Sequence, residues 1–150
     1  MLKTKLLDNT GRSVTAEYLA NYAYAFPSHG YISDSRAVSL DRDETTPEQN
    51  ADIVMNDIFV NISEHRAKPI DQSDIDSSKL ILTMTNAHKD KLLQEFTNAT
   101  NIHTLAECAA GEHTDVYDAY GKDVGFYIKT RNQIQGYIKD IMDNKMVCVS

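Results

Sequence analysis

Two cysteines in 150 residues, Cys108 and Cys148, stand far apart and supply no disulfide framework to hold a small fold together. The chain must rely on one hydrophobic core, and at this length it buries roughly two-thirds of the surface its unfolded form exposes. Basic charge is also short: 15 Lys and Arg face 22 Asp and Glu, giving a net charge of −7 and a pI near 5.1. Without a basic stripe to neutralise phosphates, neither nucleic acid nor an anionic membrane is the expected partner. Apolar runs reach only a few residues, far below a membrane span. No N-terminal stretch pairs a basic start with a long apolar run, so a cytoplasmic protein is expected. The five histidines form no i, i+4 pair, and neither a metal site nor a cofactor is expected. No repeat, linker or low-complexity segment divides the chain, which reads as a single domain over 1–150.

What is present begins with the stretch from Leu6 to Glu17. A short apolar segment runs into Asp8-Asn9-Thr10-Gly11-Arg12-Ser13 and then into a helical pattern. This is the grammar of an oxyanion-binding loop, with backbone N–H groups and a helix N-terminus facing the anion and Arg12 as a fixed fork. A plain turn followed by a Ser N-cap has the same letters, so the stretch alone leaves both readings open.

Residues 2–7 alternate as a short strand that puts Lys3 and Lys5 on one face, a costly arrangement beneath a covering helix unless each ammonium is paired or reaches water. Ala16, Leu19, Ala20 and Ala23 fall at helical spacing, with an end expected before Pro27. Tyr31 and Ile32 open a second strand, and 34–46 is polar enough for a solvated loop. From Pro47, the positions Ala51, Val54, Met55, Ile58 and Ile62 predict an amphipathic helix. A brief helix or turn over 71–78 precedes 79–85, a strand buried on both faces. Asn86 is a candidate cap for the next helix, with Leu92, Leu93 and Phe96 facing inward. Residues 101–105 read as the last strand, 112–122 as loop, and Tyr127, Ile134, Ile138 and Ile141 as a final helix. Strands alternating with helices imply right-handed crossovers and a mostly parallel sheet, with ligands outside the carboxyl ends of its strands.

Four separated motifs add to this. Asn9-Thr10-Gly11-Arg12-Ser13-Val14-Thr15-Ala16-Glu17 is similar to C-T-G-N-T-C-R-S-P-M-A-E, and Ser63-Glu64-His65-Arg66-Ala67 to S-x-H-R-[SA]. Residues 80–89 present an apolar strand, Met84-Thr85 and then His88-Lys89, while Asp115-Val116-Tyr117-Asp118-Ala119-Tyr120-Gly121 with Tyr127, Thr130 and Arg131 is similar to D-[IV]-x-D-P-[FY]-G and Y-x-x-T-R. Together they resemble the low-molecular-weight protein tyrosine phosphatases, in pattern nearest the bacterial protein-arginine phosphatase branch. The resemblance implies a three-layer α/β fold whose four-stranded parallel sheet has the order 2-1-3-4 and helices on both faces.

The resemblance also implies a chemistry: a thiolate attacks phosphorus, an arginine and loop amides hold the oxygens, and an aspartic acid protonates the leaving group. Aligned on Arg12-Ser13 without a gap, the nucleophile position holds Leu6, the second family cysteine falls on Gly11 and the loop glycine on Asp8. Leucine cannot attack phosphorus, and neither Cys108 nor Cys148 precedes an anion loop, so both read as structural. The implied phosphate-binding positions are Asn9, Thr10, Gly11, Arg12 and Ser13, and Thr10 sits where the arginine-phosphatase branch carries a threonine. Asp118 is the implied acid, although Ala119 replaces the following proline, and on an acidic chain it also fits a plain solvated aspartate. Tyr117 and Tyr120 flank it as a pocket wall or an exposed protein-binding patch. His65 and His88 are read as structural. The expected function is therefore a phosphatase-like protein without phosphomonoesterase activity that binds a phosphoprotein or regulatory partner, as a monomer or weak homodimer. An active tyrosine or arginine phosphatase, and a folded but functionless paralogue, are the alternatives.

Overall fold

The computed structural model describes residues 2–8, 12–23, 31–37, 49–120, 122–144 and 148. Its sheet has the strands β1 (Leu2–Asp8), β2 (Tyr31–Ala37), β3 (Leu80–Thr83) and β4 (Ile102–Thr104), all parallel, in the order β2-β1-β3-β4. Its helices are α1 (Arg12–Tyr18), continued by a π-helical stretch Leu19–Ala23, then α2 (Gln49–Asn56), α3 (Gln72–Ser77), α4 (Asn86–Glu95), α5 (Leu105–Ala110) and α6 (Val124–Asn144). The expected 2-1-3-4 sheet is present.

Period-two alternation in β3 sorts the helices into two layers. Leu80 and Leu82 join a core with residues of α1, α2, α5 and α6, while Ile81 joins Ile75 of α3, Leu92 of α4 and Ile102 on the other side. Every residue of β3 is buried: Leu80, Ile81 and Leu82 are apolar, and Thr83 satisfies its hydroxyl by donating to Thr85 O at 2.8 Å.

β1 is central, and the register answers the lysine problem for Lys5. Lys5 lies opposite Asp34 of β2, and its ammonium donates to Asp34 Oδ2 at 3.2 Å. Arg36 binds the same oxygen at 2.7 Å and reaches Asp74 of α3 at 3.2 Å. Burial pushes the Asp34 carboxyl up, but Arg36 and Lys5 outweigh it and hold it at about 2. The polar 34–37 segment expected as loop is thus strand, its charges compensating one another across the sheet face. The side chain of Lys3 lies outside the described residues.

Other sequence expectations need correction. α2 ends at Asn56 rather than running to Ile62, because the chain turns through Phe59 at φ 64°; Ile62 is still fully buried. Thr85, not Asn86, caps α4 by accepting the His88 N–H, and Leu93 is 45% exposed. α5 was not anticipated, although Thr104 caps it onto the Glu107 N–H and Gly111 ends it at φ 69°. Cys108 and Cys148, expected as separate structural cysteines, form a disulfide. Forty residues separate them in sequence, but α6 packs along α5 and returns the tail to it. Among the described residues no helix is long and apolar enough to cross a membrane.

Candidate functional site

A cleft of about 750 Å³ opens where the chain leaves the carboxyl ends of β1 and β3. Its wall is built from Arg12 at the start of α1, His88 in the first turn of α4, the 115–118 loop, and Lys129 and Gln133 of α6. This is where an open parallel sheet places a ligand.

The 113–118 loop is held at nearly every residue. Val116 donates its N–H to Met84 O at 2.8 Å, and Asp115 Oδ1 accepts the Asn86 N–H at the same distance. Asn86 Nδ2 donates to His113 O at 3.0 Å. From α6, Gln133 accepts the Tyr117 N–H at 2.7 Å and donates to Asp115 O at 3.0 Å, while the Thr130 hydroxyl donates to Tyr117 O at 2.9 Å. A loop without regular structure has its backbone groups paired by side chains, which fixes its position.

That fixed loop brings the expected acid to the expected arginine. Arg12 Nη1 donates to Val116 O at 2.9 Å, and Nη2 lies 3.9 Å from Asp118 Oδ2. The arginine side chain is 11% exposed and the aspartate 61% exposed, so one is set into the wall and the other stands at the mouth. Asp118 Oδ1 accepts the Tyr120 N–H at 3.0 Å, closing a turn in which the carboxylate is oriented by its own loop. Tyr117 lines the cleft; its ring stacks on Phe126 at 5.8 Å and has Lys129 Nζ 5.0 Å above it. Tyr120 is 63% exposed and does not line it. Of the two tyrosines expected as a wall, one has that place.

Leu6 and Ser13 are elsewhere. Leu6 sits inside β1 between Ser35 and Leu82, is 3% exposed and belongs to the apolar core. β1 carries on through Asp8, paired with Ala37, so the ladder extends past the position aligned with the nucleophile. Ser13, the second residue of α1, is fully buried with its hydroxyl lacking a hydrogen-bond partner. Asn9, Thr10 and Gly11 lie outside the described residues.

Behind α1, Ser35 donates to buried Glu17 at 2.8 Å, and His65 Nε2 lies 3.4 Å from the same hydroxyl. Burial raises the Glu17 carboxyl to about 7, against the lowering effect of the Ser35 bond, and burial lowers His65. Both groups therefore favour their neutral forms, as groups shut away from water do. Gln133 and Lys129 carried no sequence signal. Thr130 and Arg131 did, within the Y-x-x-T-R pattern, and Arg131 ties α6 to α2 by donating to Val54 O at 2.8 Å. No cluster of three or more His, Cys, Asp or Glu suited to a metal ion occurs among the described residues.

An open parallel sheet with an arginine and an aspartate facing each other at its carboxyl edge defines an open α/β domain with its candidate site at the strand ends. The particular family follows from comparison: the family model for low molecular weight phosphotyrosine protein phosphatase matches residues 6–147, and the chain belongs to that family. It is 29% identical over 137 residues to the low molecular weight protein-tyrosine-phosphatase PtpB of Staphylococcus haemolyticus, covering 91% of this chain and 93% of that one. It is 28% identical over 78 residues to the protein-arginine-phosphatase of Bacillus subtilis, a match spanning only 51% of this chain and 52% of that relative. The crystal structure of a low molecular weight protein tyrosine phosphatase from T. tengcongensis superposes with a TM-score of 0.86 at 26% identity, covering 95% and 99% of the two chains. The fold is also that of the YwlE mutant from Bacillus subtilis, with a TM-score of 0.88, 22% identity and coverage of 95% and 97%.

Proposed function

We propose that this chain is a catalytically silent or severely impaired member of its family that acts by binding a phosphoprotein or regulatory partner, as a monomer or weak homodimer. The observation that carries the reading is Leu6: the residue six before Arg12 is an aliphatic side chain, 3% exposed within the sheet. Phosphoryl transfer through an enzyme intermediate requires a nucleophile there. No thiol is free to replace it, since Cys108 and Cys148 are joined to each other.

What supports binding is the remaining half of the machinery. Arg12 presents a guanidinium at the cleft wall, and Lys129, over the Tyr117 ring, adds a second cation to the lining. Arg12 already donates to Val116 O, so an incoming phosphate need only share a fork that is set in place rather than order a free side chain. Asp118, 61% exposed, opposes a dianion at the mouth unless it is protonated or paired with a cationic group of the ligand.

The test is twofold. Purified protein should hydrolyse p-nitrophenyl phosphate no faster than buffer, and a phosphotyrosine or phosphoarginine peptide should bind by calorimetry in a manner lost with Arg12→Ala. Turnover comparable with an ordinary phosphatase and abolished by a thiol reagent would overturn the reading. Absence of both turnover and binding would leave the functionless paralogue in its place.

A further inference from the structure

We propose that Phe59 anchors a protein-docking surface whose partner presents an apolar pocket rimmed by lysine and arginine. None of the residues involved lines the cleft, so the inference stands apart from the phosphate reading.

Three observations meet at this position. α2 ends at Asn56, and the chain closes on it through Phe59 N–H to Asn56 O and Val60 N–H to Met55 O, each 2.9 Å. Phe59 takes φ 64° in that turn, a left-handed conformation that glycine adopts freely and a bulky side chain does not. The residue is also 98% exposed, the most exposed large apolar residue described, while Val60 and Ile62 just beyond it are 7% and 0% exposed. Buried neighbours thus pin the backbone and hold the ring in water. The fold bears two costs here, strain and exposed apolar surface, at a position where glycine would remove both; at 98% exposure the phenyl ring gives almost no packing to the described residues. Ile53 of α2, 40% exposed, adds apolar surface from the preceding helix.

Charge selects the occupant. Among the described residues from Gln49 to His65 there is no lysine or arginine, but there are Asp52, Asp57 and Glu64. Asp57 and Glu64 are exposed on either side of Phe59. A second copy would bring the same acids together on chains that already carry −7 each, so self-association is opposed. A cationic rim around an apolar pocket satisfies both the ring and the acids, and aromatic anchors in such pockets dominate interface energetics.

The probe is the full chain carrying p-benzoylphenylalanine in place of Phe59, irradiated in its native cells, with the same photoprobe at Leu93 as control. The protein joined at 59 is then purified and titrated against the unmodified chain and its variants. Phe59→Ala and Phe59→Gly are expected to weaken binding by roughly 30-fold or more, as for a hot-spot residue. Asp57→Lys is expected to weaken it about 5-fold, and that difference should vanish in high salt. Phe59→Gly should raise Tm by roughly 2–4 °C in the free protein, since the turn then holds a residue suited to it. The proposal is overturned by a product at 59 that also forms at Leu93, by no product, or by a self-crosslinked dimer. Affinity changed less than twofold by Phe59→Ala, or a lower Tm for Phe59→Gly, overturns it equally, the latter by showing that the ring is structural.

Discussion

The two halves of the cleft are built differently. On the α5–α6 side, backbone groups of His113, Asp115, Val116 and Tyr117 meet partners from Met84 just after β3, from Asn86 of α4 and from Thr130 and Gln133 of α6, and the disulfide joins α5 to the tail that follows α6. On the β1–α1 side, the position aligned with the nucleophile is filled by Leu6, which packs as core, and the polar groups behind it are the buried Glu17 and Ser35 with the half-buried His65. One half fixes the loop that carries Asp118; the other is interior packing around Leu6. The contrast teaches that one cleft can combine a loop fixed by side-chain clamps with a wall that is simply the edge of the hydrophobic core, because the clamps and the core both serve packing.

The largest effect that probes this contrast is on the disulfide. Closing a loop of about 40 residues removes chain entropy from the unfolded state worth about 4 kcal/mol. Reductant, or Cys108→Ala, should lower Tm by roughly 8–16 °C in calorimetry. A drop of under 2 °C would show that the α5–α6 side holds without its covalent brace.

Next comes Glu17. Its carboxyl rises from an ordinary 4.5 to about 7 on folding, so between those values the folded chain holds a proton that the unfolded chain releases. Its contribution is therefore complete below pH 4.5 and is lost as pH rises through 7, amounting to about 3 kcal/mol. Urea midpoints at pH 4.5 and 7.5 should differ less for Glu17→Gln than for the wild type by about that amount. Asp34 works in a separate window, its stabilisation present above its ordinary value and lost as pH falls towards 2.

A smaller change is expected from Gln133→Ala, which removes both the acceptor for Tyr117 N–H and the donor to Asp115 O. Local opening should become easier by about 1–2 kcal/mol, read as roughly 10-fold faster amide exchange at 115–117 with β3 unchanged. The smallest effect concerns catalysis. Leu6→Cys places its thiol within the strand, where Leu6 is 3% exposed, and aryl phosphate turnover should stay at the buffer blank. Thiol-dependent turnover from that single change would erase the contrast between the halves.

How far the letters carried can be followed through particular residues. The α2 region shows the limit well: apolar periodicity correctly marked Val54, Met55 and Ile62 for burial, yet Ile62 reaches the core from beyond a turn rather than from the helix. Periodicity reports which side chains must leave water, and more than one backbone path satisfies it. α5 was legible in Thr104 and Gly111, which cap a helix too short to show a period.

By itself the sequence determined the parallel α/β order, the twofold burial of β3 and the absence of a thiol six residues before Arg12. These are local patterns or ordered motifs, carried by hydrophobic periodicity and residue identity. Only the tertiary structure decided that Lys5 meets Asp34, that Gln133 holds the acid loop, that Cys108 joins Cys148, and that Phe59 stands in water at a left-handed turn. Each of those depends on register across strands, on the crossing of helices remote in sequence, or on a backbone turn imposed by buried neighbours, and such relations are set by how the whole core closes.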